Sequence, residues 1–465
     1  MTRMFGSTTV LMALLAATAP AHAQGSGTGT QTADPPAATA ASAAQTQPPA
    51  ADDSWKEGRP IRIQYMRPLD KRGLNVFETT KDPGAEFKGF RLEFGAAFAA
   101  QFQGLSHSNT AEPNIVNGVN ANQLQSIGLG FNNSTANAVM NAQLAPGIRV
   151  QLTSYLSARH HNETWVKDGY LQIDEVPWDI APLKKLFEIA TVRVGHMEIN
   201  YGDAHFRRSD NGNAIYNPFV GNYIMDAFTT EIGGEVYLKS RGVIAMGSVT
   251  AGELRGTVVS PSQRGPSLIG KLGFDRQVSP DLRVRLTGSM YNANRALSNT
   301  LYSGDRAGSR YYWVLENTTA TESANYTSGA INPGFRNEVR AFQVNPFVKY
   351  RGLEMFGVLE RSNGKASTEA ERRVWKQYAL DTVYRFMPDE SLFVGIRYNK
   401  AVGEAAGIPG DVGARRWQMG GGWFITPHLL AKLEYVNQKY FGYPPDNIRN
   451  GGTFHGAMLE GVVAF

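Results

Sequence analysis

The sequence predicts an all-β fold, a transmembrane antiparallel β-barrel of about 16 strands over residues 88–465. Apolar and polar residues alternate with period two along many short segments, as in strands whose two faces meet different surroundings. Short turns alternate with long polar connections, and beyond the N-terminus no apolar run reaches the roughly 18 residues that a membrane helix needs. Because one face of these strands carries charges, the apolar face is expected to meet lipid.

The composition narrows the function. None of the 465 residues is Cys, which excludes disulfides and thiolate chemistry. The formal charge of +5 is small for this length and does not predict nucleic-acid binding. We find no phosphate-cradling glycine loop, no paired-His zinc spacing and no nucleophile elbow, so no catalytic residue, metal site or cofactor is predicted. The one His pair, His160 and His161, is expected to lie in a solvated loop.

The first 53 residues do not have the pattern of a folded domain. Residues 1–23 have the pattern of a secretory signal peptide, with a basic start, a short apolar core and the small-residue cleavage site Ala21-His22-Ala23. Residues 24–53 are rich in Ala, Pro, Thr and Gln and almost free of charge, which predicts a flexible linker. The protein is therefore expected to leave the cytoplasm.

Residues 54–87 differ from the linker. Ile61, Ile63 and Tyr65 alternate with polar residues, and a charged, turn-rich stretch follows. Two interpretations stay open for this segment: a periplasmic cap, or a plug that enters the pore.

The first and last strands have the clearest alternation. In the first, apolar residues occupy every second position from Phe90 to Phe102, while Glu93 and Gln101 face the other way. The final strand places Leu459, Val463 and the terminal Phe465 on its apolar face. A terminal Phe on such a strand resembles bacterial outer-membrane β-barrels, in which this strand is the signal read by the barrel-assembly machinery. The resemblance implies an outer-membrane location and contact with outer-membrane lipid.

The predicted number of strands is even, which places both ends of the barrel on one side of the membrane. An 18-strand barrel is the alternative if residues 295–335 hide a hairpin. The predicted strands are 88–106, 125–145, 147–160, 164–176, 189–200, 228–240, 243–254, 266–278, 282–294, 336–350, 353–362, 372–386, 391–402, 413–425, 428–440 and 453–465.

A barrel of this size is wide enough for an aqueous channel. Several cations are predicted on the inward faces of the strands, and burying so many charges in a dry interior would cost several kcal/mol each. We therefore expect water to fill the lumen. These lumen charges are Arg149, Lys271, Arg283, Arg285, Arg385 and Arg397.

The connection after the fifth strand differs in sequence from the wall strands. It reads YGDAHFRRSDNGNAIYNPFVGNYIMDA over residues 201–227, and it follows a strand that begins Arg193-Val194-Gly195. This combination is similar to the phosphate-selective porin family, porins O and P. The resemblance implies that this third external loop folds inward and shapes the pore constriction, and that the protein is a homotrimer. The implied constriction residues are Tyr201, Asp203, His205, Arg207, Arg208 and Asp210.

Together these observations predict an outer-membrane porin, a water-filled channel for passive diffusion of small hydrophilic solutes or ions. The inward charges are mixed in sign with a small excess of cations, which favours a mild preference for anions such as phosphate. Two alternatives stay open: an outer-membrane barrel enzyme, such as a lipase or protease, and a structural or adhesion barrel plugged by residues 54–87.

Overall fold

The computed structural model describes residues 56–157, 164–256, 258–303 and 310–465. The predicted signal peptide at 1–23, the linker at 24–53 and the pair His160-His161 lie outside the described residues.

Sixteen antiparallel strands form the barrel wall, which confirms the predicted fold class and strand number. Every predicted bound but one lies within four residues of the observed bound. The wall strands are β1 (Arg91–Ser108), β2 (Thr135–Ala145), β3 (Ile148–Ser157), β4 (Thr164–Ile173), β5 (Ala190–Glu198), β6 (Thr230–Ser240), β7 (Val243–Thr250), β8 (Ser267–Ser279), β9 (Leu282–Ala293), β10 (Glu338–Tyr350), β11 (Leu353–Lys365), β12 (Arg373–Phe386), β13 (Leu392–Glu404), β14 (Asp411–Thr426), β15 (Leu429–Phe441) and β16 (Thr453–Ala464).

The sheet closes on itself because β1 pairs with both β2 and β16. Phe94 lies opposite Met140 on β2, and Gln101 lies opposite Glu460 on β16. Each other wall strand pairs with its neighbours in the sequence, as in an up-and-down barrel. Since β9 pairs directly with β10, the 18-strand alternative is wrong.

The predicted start of the second strand is wrong. Residues 125–134 precede β2 as a loop, and only Gly130–Phe131 in this stretch forms a short strand, paired with β1. The backbone N–H of Gln125 instead donates to the carbonyl of Glu316 in the connection after β9, at 2.9 Å. A contact with another loop therefore replaces the wall pairing that the alternation had predicted.

The two ends of the barrel differ in the length of their connections. At the short-turn end, six pairs of strands are joined by tight turns, as predicted. Between β6 and β7 the turn residues Arg241 and Gly242 both have positive φ, +49° and +85°, which suits the right-handed twist of a tight hairpin. The other connection at this end, between β4 and β5, contains the helix α1 (Ala181–Phe187).

The long-loop end carries the other connections. As far as the structure describes these connections, two contain 3-10 turns, one contains a short helix and one contains a hairpin. Helix α2 (Glu322–Asn325) lies between β9 and β10. None of the helices in the described part of the chain is both long and apolar enough to cross a lipid bilayer. The remaining short elements are the 3-10 turns Lys71–Gly73, Ala204–Arg207 and Pro261–Gln263 and the two-residue strands Ile115–Val116 and Val119–Asn120.

The predicted facing of the first strand is confirmed. Phe94 and Phe98 are 63% and 42% exposed on the outer surface, whereas Glu93 and Gln101 are buried. The last strand follows the same rule, with Leu459 exposed and Glu460 buried. The alternating pattern therefore separates exposed outer side chains from buried inner ones along both strands that form the seam, although most of the buried residues of β16 are apolar.

Candidate pore constriction

The third loop, residues 199–229 between β5 and β6, lies inside the barrel. The backbone N–H of Val220 donates to the Glu434 carboxylate on β15 at 2.8 Å. At Gly212 the loop meets β1, which is separated from β15 only by β16, and an added Cβ atom there would lie 2.5 Å from the Ala97 carbonyl oxygen. Both contacts lie on the far side of the sheet from β5 and β6, where the loop begins and ends. The loop therefore crosses the lumen from one side of the wall to the other.

Tyr201 and Asp203 fix the first part of this loop to the wall. The Tyr201 hydroxyl donates to Glu360 on β11 at 3.0 Å. The Asp203 carboxylate accepts two hydrogen bonds from the Arg285 guanidinium on β9, both at 2.8 Å, and lies 2.7 Å from the Lys271 ammonium. Both side chains of the loop are fully buried, so their charge and hydroxyl groups are satisfied by the wall and not by solvent.

His205 is held by acceptors at both ring nitrogens. Its Nδ1 contacts the Glu198 carboxylate at the end of β5, and its Nε2 lies 3.0 Å from the Asn200 side-chain oxygen. Glu198 also pairs with Lys167 of β4 at 3.0 Å. The imidazole therefore belongs to an ion-pair network at the base of the loop.

Arg207 and Arg208 point to different partners. Arg207 contacts Asn75 of the N-terminal segment and lies 3.4 Å from a carboxylate oxygen of Glu354 on β11. Arg208 donates from its Nε to Asp226 at 2.8 Å and lies 3.4 Å from Asp210. Each arginine is therefore neutralised by carboxylates.

Asp210 links the loop to β3 and β4. Its carboxylate contacts the Tyr155 hydroxyl of β3 and the Lys167 ammonium of β4. All six predicted constriction residues thus lie inside the barrel, but the wall and the N-terminal segment separate them into distinct ion-pair groups.

A second connection, residues 294–337 between β9 and β10, also contributes to the interior. Tyr302 donates to Glu360 at 2.7 Å, and Tyr311 donates to Glu434 at 2.6 Å. Arg310 pairs with Glu460 of β16 at 3.0 Å. The sequence analysis did not predict that this connection enters the barrel interior, although its several tyrosines were a signal that could have indicated it.

Residues 61–82 of the N-terminal segment contact the inner wall near the short-turn end. Glu78 pairs with Lys271 at 3.1 Å and with Arg285 at 2.8 Å. Asn75 donates to Glu354 at 2.7 Å. Ile63, Tyr65 and Phe77 of the same segment are buried, so its apolar residues are covered as well as its charges.

The six predicted lumen cations all lie on inward faces, but the surroundings of most of them differ from our expectation. Carboxylates of the wall, the third loop and the N-terminal segment replace much of the expected water. Ion pairing and hydrogen bonds offset the cost of removing these charges from solvent. Lys271 and Arg285 pair with Asp203 and Glu78, Arg283 with Asp275, Arg385 with Glu354 and Arg397 with Asp381, whereas Arg149 hydrogen-bonds to Gln172.

The ion pairs with Lys271 and Arg285 determine the ionisation of two acidic residues, Glu78 in the N-terminal segment and Asp203 in the third loop. Burial by itself raises the pKa of the Glu78 carboxyl group, but Lys271 and Arg285 outweigh that effect and hold the pKa well below its ordinary value. Asp203 has the same two cationic neighbours. Their effect again outweighs that of burial, so the pKa of Asp203 is also lowered. Both groups are therefore expected to be ionised at neutral pH.

A cavity of about 160 Å³ lies between the third loop, strands β1 to β5 and the N-terminal segment. Its lining includes five cations and three carboxylates, an excess of two positive charges (five minus three). Sequence reasoning missed several of these groups, among them Lys167, Arg193 and Glu198. The charged lining residues are Arg67, Arg149, Lys167, Arg193, Arg208, Asp168, Glu198 and Asp210.

The charged side chains of the cavity lining come from several elements of the fold. In the described ranges of the chain, no group of three or more His, Cys, Asp or Glu side chains is arranged to hold a metal ion. The charged side chains lie on several different strands and on the loop, so the field at the cavity depends on where the loop is docked.

Phe465 lies at the seam of the barrel. Its backbone N–H donates to the Ala96 carbonyl at 3.0 Å, and its own carbonyl accepts from the Ala96 N–H at 2.9 Å. Its side chain is half-exposed on the outer surface. The last residue therefore extends the pairing of β16 with β1.

No protein-family model and no curated protein matches the sequence. Solved structures to which the chain is similar include the outer membrane protein OmpT of Vibrio cholerae in its trimer form, with 9% identity, a TM-score of 0.49 and coverage of 81% of this chain and 100% of that one. The anion-selective porin from Comamonas acidovorans matches with 11% identity, a TM-score of 0.48 and coverage of 81% and 100%. The outer membrane channel DcaP of Acinetobacter baumannii matches with 10% identity, a TM-score of 0.47 and coverage of 82% and 99%.

Proposed function

We propose that this protein is an outer-membrane porin that forms a water-filled channel for passive diffusion of small hydrophilic solutes, with a weak preference for anions. The observation that carries the proposal is the cavity of about 160 Å³ between the third loop and the wall, lined by charged side chains. In such a channel, selectivity comes from the width of the narrowest region and from the charges around it. The short turns face the periplasm and the long loops face outward.

The anion preference is supported by the net positive charge of the residues that line the cavity. Five cations and three carboxylates leave an excess of positive charge at the cavity. Two of the five cations, Lys167 and Arg208, are paired with carboxylates and the net excess is small, so the preference is weak. Small oxyanions, phosphate among them, are the proposed solutes.

The proposal does not include catalysis. His205 is the histidine that lines the cavity, and both of its ring nitrogens are engaged by Glu198 and Asn200. A general base needs a free ring nitrogen within hydrogen-bonding reach of the proton that it removes. His205 is therefore a structural residue of the constriction in this proposal.

A barrel plugged by its own N-terminal segment is the second candidate, and the contacts of residues 61–82 favour it. Glu78 and Asn75 fix this segment to inward-facing side chains of β8, β9 and β11. If these contacts persist, the plugged barrel has a structural role and conducts little. The two candidates differ in the conductance of the full-length mature protein.

Recordings in planar lipid bilayers test the two candidates. The mature protein is compared with a variant that lacks residues 54–87 and with a control that lacks only residues 24–53. The porin proposal expects open channels in the mature protein and in the control. In a KCl gradient, the sign of the zero-current potential should show that chloride is more permeant than potassium. Current in the 54–87 deletion alone would support the plugged barrel, and no current in any of the three proteins would refute the channel.

We further propose that the protein assembles as a homotrimer in the outer membrane. The support is the apolar outer row of β1, on which Phe94 and Phe98 are exposed. Light scattering of the detergent-solubilised protein tests the oligomeric state, and a monomer would contradict this part of the proposal.

A further inference from the structure

We infer that Arg149 and Arg193 form a binding subsite for the oxyanion group of a permeating solute, a carboxylate or a phosphate. This inference rests on the proposed function, because it names the solute class of the same cavity. Arg149 lies near the start of β3 and Arg193 near the start of β5, so both lie toward the short-turn end. Both arginines line the cavity.

A neutral side chain holds the two guanidinium groups beside each other. The Gln172 Oε1 atom of β4 accepts from Arg149 Nη2 at 2.7 Å and from Arg193 Nε at 2.8 Å. The Gln172 Nε2 atom donates to the Asp174 carboxylate at 2.6 Å and to the Thr79 hydroxyl at 3.4 Å. Because an amide nitrogen cannot accept from a guanidinium, these partners fix the orientation of the amide.

The neighbouring acids that the structure describes have closer partners of their own and make no ion pair with either arginine. Asp174 lies 3.7 Å from the Lys81 ammonium of the N-terminal segment. Glu235, which is opposite Arg193 in the register of β5 and β6, accepts from the Tyr237 hydroxyl at 2.6 Å. Among the ion pairs of the described residues, none joins either guanidinium to a carboxylate.

Arg149 has an unused hydrogen-bond donor. Its side chain is buried, with 2% of the residue exposed, and its Nε atom has no hydrogen-bond partner within the described part of the chain. The Tyr170 ring lies 5.9 Å from the Arg149 guanidinium carbon and 5.3 Å from that of Arg193. Among the residues that the structure describes, the Arg149 Nη1 and Nη2 atoms donate only to neutral oxygens, those of Asn141, Gln151 and Gln172. A buried cation whose partners are all neutral is costly, whereas an oxyanion supplies charged acceptor oxygens to the guanidinium groups.

The substitution Gln172→Glu tests the subsite with little change in shape. The new carboxylate stands where the neutral oxygen now contacts both arginines, and it therefore competes with a bound oxyanion. Isothermal titration calorimetry on the full-length mature protein in detergent measures the binding of phosphate and of succinate separately. We expect saturable binding of at least one of them to the unsubstituted protein, and a loss of affinity of about tenfold or more in Gln172→Glu.

Two controls separate the site from general charge effects. Gln277→Glu adds the same charge at an exposed position of β8 and should leave the affinity unchanged. Arg361→Gln removes a cation from the exposed face of β11 and should do the same. If Gln172→Glu fails to fold, Arg193→Gln serves in its place, because this residue is only half-buried.

The outcomes decide between the two anions and between the two proposals. Binding of only phosphate or only succinate identifies the oxyanion and supports the subsite. Equal affinity in Gln172→Glu, or no saturable binding of either anion to the unsubstituted protein, overturns it. Binding without bilayer conductance would refute the porin and keep the subsite, whereas conductance without binding would do the reverse.

Discussion

Arg285 of β9 and Asp203 of the third loop form a two-pronged ion pair, in which the Nε and Nη2 atoms of the arginine each lie 2.8 Å from a different carboxylate oxygen. Both side chains are buried. Glu78 of the N-terminal segment contacts the same guanidinium. One arginine of the wall therefore connects the two segments that narrow the lumen.

The first prediction concerns this pair. Asp203→Ala should destabilise the protein by roughly 3–5 kcal/mol, because removing one partner leaves a buried charge incompletely compensated. Equilibrium unfolding in urea measures the change. Asp281→Ala is the control, since it breaks the exposed pair of Asp281 with Arg351 and should have no measurable effect. Equal stability of both variants would show that the ion pair does not fix the loop.

The second prediction concerns the two adjacent arginines of the third loop. Arg208 lines the cavity and Arg207 does not. Arg208→Ala should move the zero-current potential toward cations, because Asp210 and Asp226 lose a neutralising partner. Arg207→Ala is the matched control, and the double variant should resemble Arg208→Ala. An unchanged potential and conductance in the double variant would mean that the loop lies outside the conduction path.

The third prediction concerns the outer face of β1. Phe98→Arg should destabilise the barrel by about 2–4 kcal/mol, because a charge on the lipid face near the bilayer midplane loses its hydration. Unfolding of the protein from lipid vesicles in urea gives the difference. Val258→Arg is the control, because Val258 is 94% exposed in the connection between β7 and β8. Equal tolerance of the two substitutions would refute the lipid-facing assignment of Phe98.

The fourth prediction concerns the terminal residue. Deleting Phe465 removes its two backbone hydrogen bonds to Ala96 and its outward side chain from the seam. We expect normal synthesis without stable insertion, measured as loss of the heat-modifiable folded species from the outer membrane. Phe465→Tyr keeps the backbone bonds and an aromatic ring and should insert normally. A folded, membrane-inserted deletion variant would contradict this role of the seam.

The fifth prediction concerns pH. The pKa of Glu78 is lowered from its ordinary value of 4.5, so its pairing with Lys271 and Arg285 stabilises the docked N-terminal segment at every pH above that value. The contribution is lost only as the pH falls through the lowered pKa. Single-channel conductance should therefore be unchanged between about pH 7 and about pH 5 and should rise only in stronger acid.

Glu78→Gln provides the test of that mechanism. The variant lacks the charge, so the segment should be released already at neutral pH and the conductance should be high throughout. If the variant and the unsubstituted protein have the same pH profile, Glu78 does not hold the segment.

The wall was predictable from the sequence because the two faces of each strand have different surroundings, lipid on the outside and the barrel interior on the inside, and the residues alternate accordingly. On β1 and β16, exposed outer residues alternate with inward-facing ones, and charged or amide side chains such as Glu93, Gln101 and Glu460 mark the inner face, so the facing of these strands followed from the period. The start of β2 was not predictable in this way. Residues 125–134 have a strand-like composition, but a contact with another loop decides their structure.

Much of the cavity lining was not predictable from alternation. The register between β3 and β4 shifts at Thr153 and Ser154, so that Lys167 is the extra residue of a β-bulge and lines the cavity together with its neighbour Asp168. A strict period of two places adjacent residues on opposite faces and therefore hides such a pair. Glu78 and Asp203, the partners of Lys271 and Arg285, were hidden for a different reason, because they lie on segments far away in the sequence.

The seam between β1 and β16 has a consequence for the order of assembly. The other 15 wall pairings join strands that follow one another in the chain, whereas this pairing joins the two ends of the barrel sequence and carries the greatest loop-closure entropy. The interior ion pairs of β9 and β11 with the third loop do not depend on the seam. We therefore expect an assembly intermediate in which the sheet is curved and the third loop is already docked inside it, but β1 and β16 are still unpaired. Such an intermediate can aggregate, because the exposed edge strands of two molecules can pair with each other.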